Sequence, residues 1–152
     1  MRGAINLALS GAILAADQLL KAWIRSSFVR TEARPLIGGF VRLTRVHNTG
    51  GAFGILPGGS SVFIAVSLVV SIGLAVYLLL GRGDRWARLG AALTLGGAAG
   101  NLVDRLVHGY VLDFFELRGF SVLNLADACI TIGIFLLLVR SIFGGDEHRA
   151  RE

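Results

Sequence analysis

Twenty consecutive residues, Ser61–Leu80, carry no charged side chain. A helix of that length reaches about 30 Å, the thickness of the hydrocarbon core of a bilayer. The run commits the chain to a membrane, and three further apolar segments follow the same logic. Composition agrees: 54% of the residues are hydrophobic and 16% charged, where a soluble domain averages about 25% charged. Mean hydropathy is +0.69. The expected fold is an all-α membrane protein, a single domain over residues 1–152. Its four transmembrane helices are predicted near 5–24, 61–80, 89–107 and 123–143.

Residues 25–60 do not span. Pro35, Gly38 and Gly39 mark a turn, and Phe40–Val46 mixes β-branched residues with arginine, as a short strand at a wet surface does. A small extended or β subdomain is therefore expected outside the membrane between helices 1 and 2. The segment ends in HNTGGAFG, His47–Gly54, whose glycines suit either a plain turn or a loop that approaches a ligand closely. The charged tail, 144–152, is predicted to be disordered. Arg2 and the apolar run after it resemble a signal peptide. Asp17, Gln18 and Lys21 interrupt that run and no A-x-A site follows it cleanly, so an uncleaved helix is predicted. Asp17 and Lys21, four residues apart, share a helix face and read as a structural ion pair turned into the bundle.

Four spans place both chain ends on one side and loops one and three together on the other. The short loop with Arg82, Arg85 and Arg88 is the densest basic cluster and points to cytoplasmic termini, although charge is otherwise divided between the two sides. The net charge of +5 is spread over ends and loops. No basic run fits nucleic acid, and anionic membrane lipids are the natural partner. A single cysteine, Cys129, excludes an internal disulfide and reads as helix packing.

The chemistry concentrates in Gly100–Ile130, where Asp104, Asp113 and Asp127 stand beside Asn101, Arg105 and Asn124. Ionisable residues inserted in a membrane cost about 2.5–3.5 kcal/mol each on insertion scales, so they usually have a function. Asn101, Asp104, Arg105 and His108 recur at helical spacing and form one polar stripe, with Arg105 the expected partner of Asp104 and His108 a solvated helix end. Asn124 and Asp127 share a face in the first turns of the last span, where a helix N-terminus favours negative charge. The zinc motif H-E-x-x-H and the serine-hydrolase motif G-x-S-x-G are both missing from the sequence, and no cysteine–histidine arrangement stands out. No metal and no cofactor is expected. Two carboxyls sharing one proton can supply base and acid together, which is the chemistry of an aspartyl hydrolase. Spacing does not choose among the three aspartates. Their neighbours favour Asp113 and Asp127, which sit among apolar and amide residues, whereas Asp104 adjoins Arg105. A small four-helix proton-coupled transporter is the alternative, since membrane aspartates serve that function too.

Five blocks then occur in a fixed order across most of the chain: Asp17-Gln18 with Lys21; Asn48-Thr49-Gly50 with Ala52-Phe53-Gly54; Gly100-Asn101-Leu102 with Asp104-Arg105; Val111 with Asp113-Phe114; and Asn124 with Ala126-Asp127. In these the sequence resembles the bacterial lipoprotein signal peptidases, signal peptidase II. The resemblance implies an aspartic endopeptidase of the bacterial inner membrane, without metal, whose catalytic pair is Asp113 and Asp127. It implies that Asn48, Gly50, Phe53, Gly54, Asn101, Asp104, Arg105 and Asn124 bind substrate or support the site. The implied substrate is a diacylglyceryl-prolipoprotein, cut just before its lipidated cysteine, and the implied inhibitor is of the globomycin type. The active site would face the periplasmic or outer side, and the protein is expected to act as a monomer. Two departures stand out. Gly51 replaces the family's usual alanine and is expected to loosen its loop. Leu123 stands where an aromatic is commoner.

Overall fold

The computed structural model describes residues 2–51 and 60–143. The elements run α1 (Arg2–Ser27), β1 (Ala33–Ile37), β2 (Val41–Asn48), α2 (Ser60–Leu79), α3 (Arg85–His108), β3 (Val111–Leu117), β4 (Val122–Leu123) and α4 (Leu125–Phe143). The start of α1 lies against the end of α2, where a Cβ built on Gly3 would sit 2.8 Å from the carbonyl oxygen of Leu78. The start of α3 meets the end of α4 through an ion pair between Asp84 and Arg140. Those four helix ends therefore form one end of the bundle. The sheet occupies the other.

Among the described residues three helices are long and apolar enough to cross a membrane: Gly3–Ser27, Ser60–Leu79 and Leu125–Phe143. Their large side chains face outward. Val62, Val66, Val69, Ile72 and Leu79 of α2 and Ile132, Phe135 and Leu138 of α4 are all exposed. The long helix α3 is built the opposite way. Its buried positions are mostly small: Gly90, Ala91, Ala92, Gly96, Gly97, Ala98 and Gly100. Where lipid removes the hydrophobic drive between helices, small residues let backbones approach for contact. Gly96 meets Ile13 and the Ser10 carbonyl of α1, and Gly90 meets the Gly133 carbonyl of α4, each within 3 Å of where a Cβ would stand. Asp84 caps α3 by accepting from the N–H groups of Trp86 and Ala87, and Gly109 ends it in the left-handed conformation, φ 76°.

The sheet is antiparallel, in the order β1-β2-β3-β4. Gly38 and Gly39, with φ of 52° and 72°, make the turn between β1 and β2. The sequence placed the extended subdomain between helices 1 and 2. In the structure half of the sheet comes from between α3 and α4. The physical reason is the open edge of β2, which needs a hydrogen-bonding partner and finds it in β3. Leu112 and Phe114 of β3 pack with Ile24 and Phe28 from the end of α1, which fixes the sheet on the bundle. The register of β2 on β3 shifts between Leu43 and Val46. Such a bulge re-aims the side chains beyond it. Beyond it Val46 lies opposite Asp113 and Asn48 opposite Val111, so Asn48 and Asp113 are diagonal neighbours.

Candidate active site

The sheet and the bundle meet at a pair of aspartates. Asp113, on β3, is only 2% exposed. Its Oδ2 accepts from Asn48 Nδ2 at 2.9 Å and its Oδ1 from Asn124 Nδ2 at 2.7 Å. Burial, and then the charge of Asp127, push its carboxyl up to about 7, against the pull of the two amides. Asp127 lies in the first turn of α4 and is half-buried. Its Oδ1 accepts from Asn101 Nδ2 at 2.8 Å and its Oδ2 from the Asn124 backbone N–H at 3.3 Å. The Asp127 N–H in turn donates to Asn124 Oδ1 at 2.8 Å. This reciprocal pair is a capping box with aspartate in the place of the usual glutamate. The residue that starts α4 thus holds Asp127 with its backbone and Asp113 with its amide.

Below the pair lies a buried ionic knot. Lys21 and the carboxylates of Asp17 and Asp104 are completely buried, with Lys21 Nζ 2.7 Å from Asp17 Oδ2 and 3.0 Å from Asp104 Oδ2. Lys21 also donates to Asn101 Oδ1 at 3.1 Å. Arg25, one turn further along α1, meets Asp104 Oδ1 at 2.6 Å. Asp17 Oδ1 accepts from the Ala126 N–H of α4, and Asp104 Oδ2 from the Leu112 N–H of β3, each at 3.0 Å. Gln18 donates to the Gly100 carbonyl at 3.1 Å.

The expected pair of Asp17 with Lys21 is present and larger than expected. The expected partnership of Asp104 with Arg105 is not. Successive helical residues point about 100° apart, so Asp104 faces α1 and its cations while Arg105 faces α2. Arg105 donates to the Gly50 carbonyl at 3.1 Å and lies 5.0 Å above the Phe63 ring. The polar stripe therefore splits: Asn101 and Asp104 are buried, Arg105 is half-buried, and His108 is exposed. Phe53 and Gly54, with the rest of 52–59, lie outside the described residues, as does the tail 144–152. Gly51 is not loose: it is buried, and the Phe63 ring fills the space an alanine methyl would need, 2.5 Å from the ideal Cβ. Leu123 lies opposite Phe115 in the sheet. Arg25 and Phe63 join the site without having been singled out by sequence, and Gln18, quoted in the first of the five blocks, had been given no role. Arg25 was visible in principle, because 17, 21 and 25 repeat every four residues on one helix face. Phe63 carried no signal among its apolar neighbours.

Two clefts flank the aspartates. One, of about 280 Å³, is walled by Phe63, Val66, Val70, Ala98, Ile130 and Ile134, with Arg105 and Asp127 also on its lining. The other, of about 270 Å³, is lined by His47, Asn48, Thr49, Gly50, Asp113 and Ser121. The first is largely apolar and faces α2, α3 and α4; the second is mixed, with Val46 and Val122 beside its polar groups, and faces the sheet. Burial and the nearby Arg30 and Arg45 hold the His47 imidazole below its usual range. Among the described residues no three His, Cys, Asp or Glu side chains gather as a metal site.

Solved structures share this fold. A bacterial membrane enzyme determined by the in meso method at 2.3 Å matches with a TM-score of 0.85 and 25% identity, over 91% of this chain and 88% of that one. A second such enzyme, at 1.9 Å, gives a TM-score of 0.82. The class is thus a multi-pass membrane enzyme. Residues 9–143 match the family described as Signal peptidase (SPase) II. The lipoprotein signal peptidase of Moorella thermoacetica is 48% identical over 132 residues, covering 86% of this chain and 88% of that one. That of Thermosynechococcus vestitus is 44% identical over 135 residues, covering 85% of each. The chain belongs to the signal peptidase II family and is a peptidase. The transporter alternative gains no support.

Two variants test the geometry. Lys21→Met leaves buried carboxylates without their ammonium, which costs about 3–5 kcal/mol, read as lost thermal stability in detergent. A variant as stable as the parent would show that the knot does not hold the bundle. Gly51→Ala should destabilise by about 1–3 kcal/mol through overpacking against Phe63. Adding Phe63→Leu should recover about 0.5–3 kcal/mol of that loss, whereas additive effects would mean the two residues are not in contact.

Proposed function

We propose that this chain is an aspartic endopeptidase that removes the signal peptide from diacylglyceryl-prolipoproteins, cutting before the lipidated cysteine. The family and its relatives, named lipoprotein signal peptidases, support removal of signal peptides from prolipoproteins. The aspartic mechanism is carried by one observation: Asn124 hydrogen-bonds both Asp113 and Asp127 and so sets the two carboxyls in one frame. Asp127 is the base, at a helix N-terminus that favours negative charge. Asp113, pushed up to about 7, is the acid. Asp127 takes a proton from water as the water oxygen attacks the scissile carbonyl carbon, and Asp113 gives its proton to the carbonyl oxygen. The tetrahedral intermediate then collapses: the C–N bond breaks, the cysteine nitrogen takes the proton from Asp127, and one diol hydroxyl returns its proton to Asp113 as the new carboxyl forms. Asn48 and Asn101 steady the carboxyls, and Arg105 holds Gly50 beside the substrate backbone. Asp104 supports the site through Lys21 and Arg25.

In this reading α3 is a fourth span. Its 24 residues reach about 36 Å, and its modest apolarity follows from being the helix the others surround. The protein sits in the bacterial plasma membrane with its termini cytoplasmic, which the arginines of the short α2–α3 turn support, and with the sheet and the aspartates at the outer face. One chain supplies both aspartates, consistent with action as a monomer, and a cyclic peptide of the globomycin type would compete for the same clefts.

Asp113→Asn and Asp127→Asn should each abolish cleavage by the purified protein without lowering its thermal stability to that of Lys21→Met; full activity in either would remove the pair from the mechanism. The acid must be protonated, so kcat/KM should fall as pH rises through about 7, where Asp113 ionises. Activity rising across that range would reverse the roles given to the two carboxyls. A lipobox peptide carrying diacylglycerol should be cut and its unlipidated twin barely touched, because each buried methylene contributes about 0.8 kcal/mol. Equal turnover of the two would contradict lipid-directed recognition. A chelator should change neither result, and activity lost in EDTA would contradict the metal-free mechanism.

A further inference from the structure

A second polar cavity lies at the opposite end of the molecule, away from the aspartates. It measures about 650 Å³ and is lined by Ile5 and Asn6 of α1 with Gly83, Asp84, Arg85 and Arg88 around the start of α3. The carboxylate of Asp84 is fully engaged. One oxygen accepts from the Trp86 and Ala87 N–H groups, each at 2.9 Å, and the other pairs with Arg140. The arginines are not neutralised in the same way. Arg85 is exposed, its guanidinium 4.9 Å from the Trp86 ring, and half-buried Arg88 donates to the carbonyl of Gly83. Among the described residues neither forms an ion pair. Two guanidinium groups on one cavity, with the nearby carboxylate already held elsewhere, suit an anion with several oxygens.

The surroundings say which anion. The cavity sits where α1 begins and α2 ends, at the level of an exposed indole, Trp86, a side chain that favours the boundary between membrane and water. Ile5 is 67% exposed on its wall, and Leu79 and Leu80, at the end of α2, are 67% and 59% exposed. A small inorganic anion would use the arginines and leave that apolar surface uncovered. A phospholipid would use both. We propose that this cavity binds the phosphate of an anionic membrane phospholipid, with Arg85 and Arg88 on the phosphate oxygens and the acyl chains along Ile5, Leu79 and Leu80. The inference rests on the membrane location of the chain and not on its catalytic mechanism.

The test uses full-length protein in a neutral detergent. Short-chain phosphatidylglycerol should raise the melting temperature by about 3 °C, as a saturating ligand of the folded state does. Phosphatidylcholine of the same chain length and inorganic phosphate should raise it far less. Arg85→Gln with Arg88→Gln should lose the phosphatidylglycerol shift, while Arg118→Gln, at the sheet end, should keep it. Native mass spectrometry of the unaltered protein gives a second readout, with phosphatidylglycerol retained over phosphatidylcholine. A shift as large with phosphatidylcholine, or one that survives in the double variant, would overturn the site. An equal shift with inorganic phosphate would overturn the lipid as its occupant. Loss of peptidase activity plays no part in either outcome.

Discussion

Lys21 is an ammonium group with no contact to solvent, and the site is assembled around it. Such a charge is tolerated only with close counter-charges and all its protons used. Asp17, Asp104 and Asn101 meet that demand from two helices. Each of those three then uses its remaining atoms on something else. Asp17 takes the Ala126 N–H at the head of α4, Asp104 takes the Leu112 N–H at the head of β3, and Asn101 donates to Asp127. The requirement to neutralise one buried lysine therefore fixes the strand that carries Asp113 and the helix that carries Asp127. Arg25 balances the second carboxylate, so two cations face two anions in the knot.

The packing of α3 makes that convergence possible. A helix that presents glycine and alanine to its neighbours lets α1 and α4 approach until side chains as short as aspartate and asparagine can bridge them. At Gly100 the limit is visible: a Cβ there would stand 2.6 Å from Asp17 Oδ2. The same composition lowers the apolarity of α3, so the helix at the centre of the bundle is the one that looks least like a span. The large apolar residues that a soluble protein would place inside are on the outer faces of α2 and α4.

The sequence carried much of this and hid a definable remainder. Helix positions followed from apolar runs, and the Asp17–Lys21 pair and the Asn124–Asp127 face followed from helical spacing, because those are local in sequence. The sheet was half legible: β2 was predicted, but its pairing with β3 joins residues 65 apart, as the Asn48–Asp113 bond does, and no local pattern records it. Arg105 was misassigned to Asp104 because adjacent side chains on a helix diverge, a fact that the polar-stripe argument overlooked. Phe63 could not be read at all, since its role depends on a missing methyl at Gly51. The preference for Asp113 and Asp127 over Asp104 came from neighbours and resemblance; in the structure Asp104 faces two cations, whereas Asp113 faces two amides.

The two clefts explain why this chemistry suits a membrane boundary. A carboxyl pair sharing a proton needs water on one reacting face, and a signal peptide with an acylated cysteine needs an apolar bed on the other. Asp113 lines the mixed cleft by the sheet, where His47, Asn48, Thr49 and Ser121 offer polar groups, and Asp127 lines the apolar cleft among the helices. In the proposed reaction the scissile bond lies between Asp113 and Asp127, the two carboxyls that Asn124 holds. The sheet is then part of the mechanism. It buries Asp113 far enough to raise its pKa while the bulge in β2 turns Asn48 toward the carboxyl to keep it oriented. Without that lid of strands the carboxyl would be a solvated aspartate, ionised at neutral pH and unable to act as the acid.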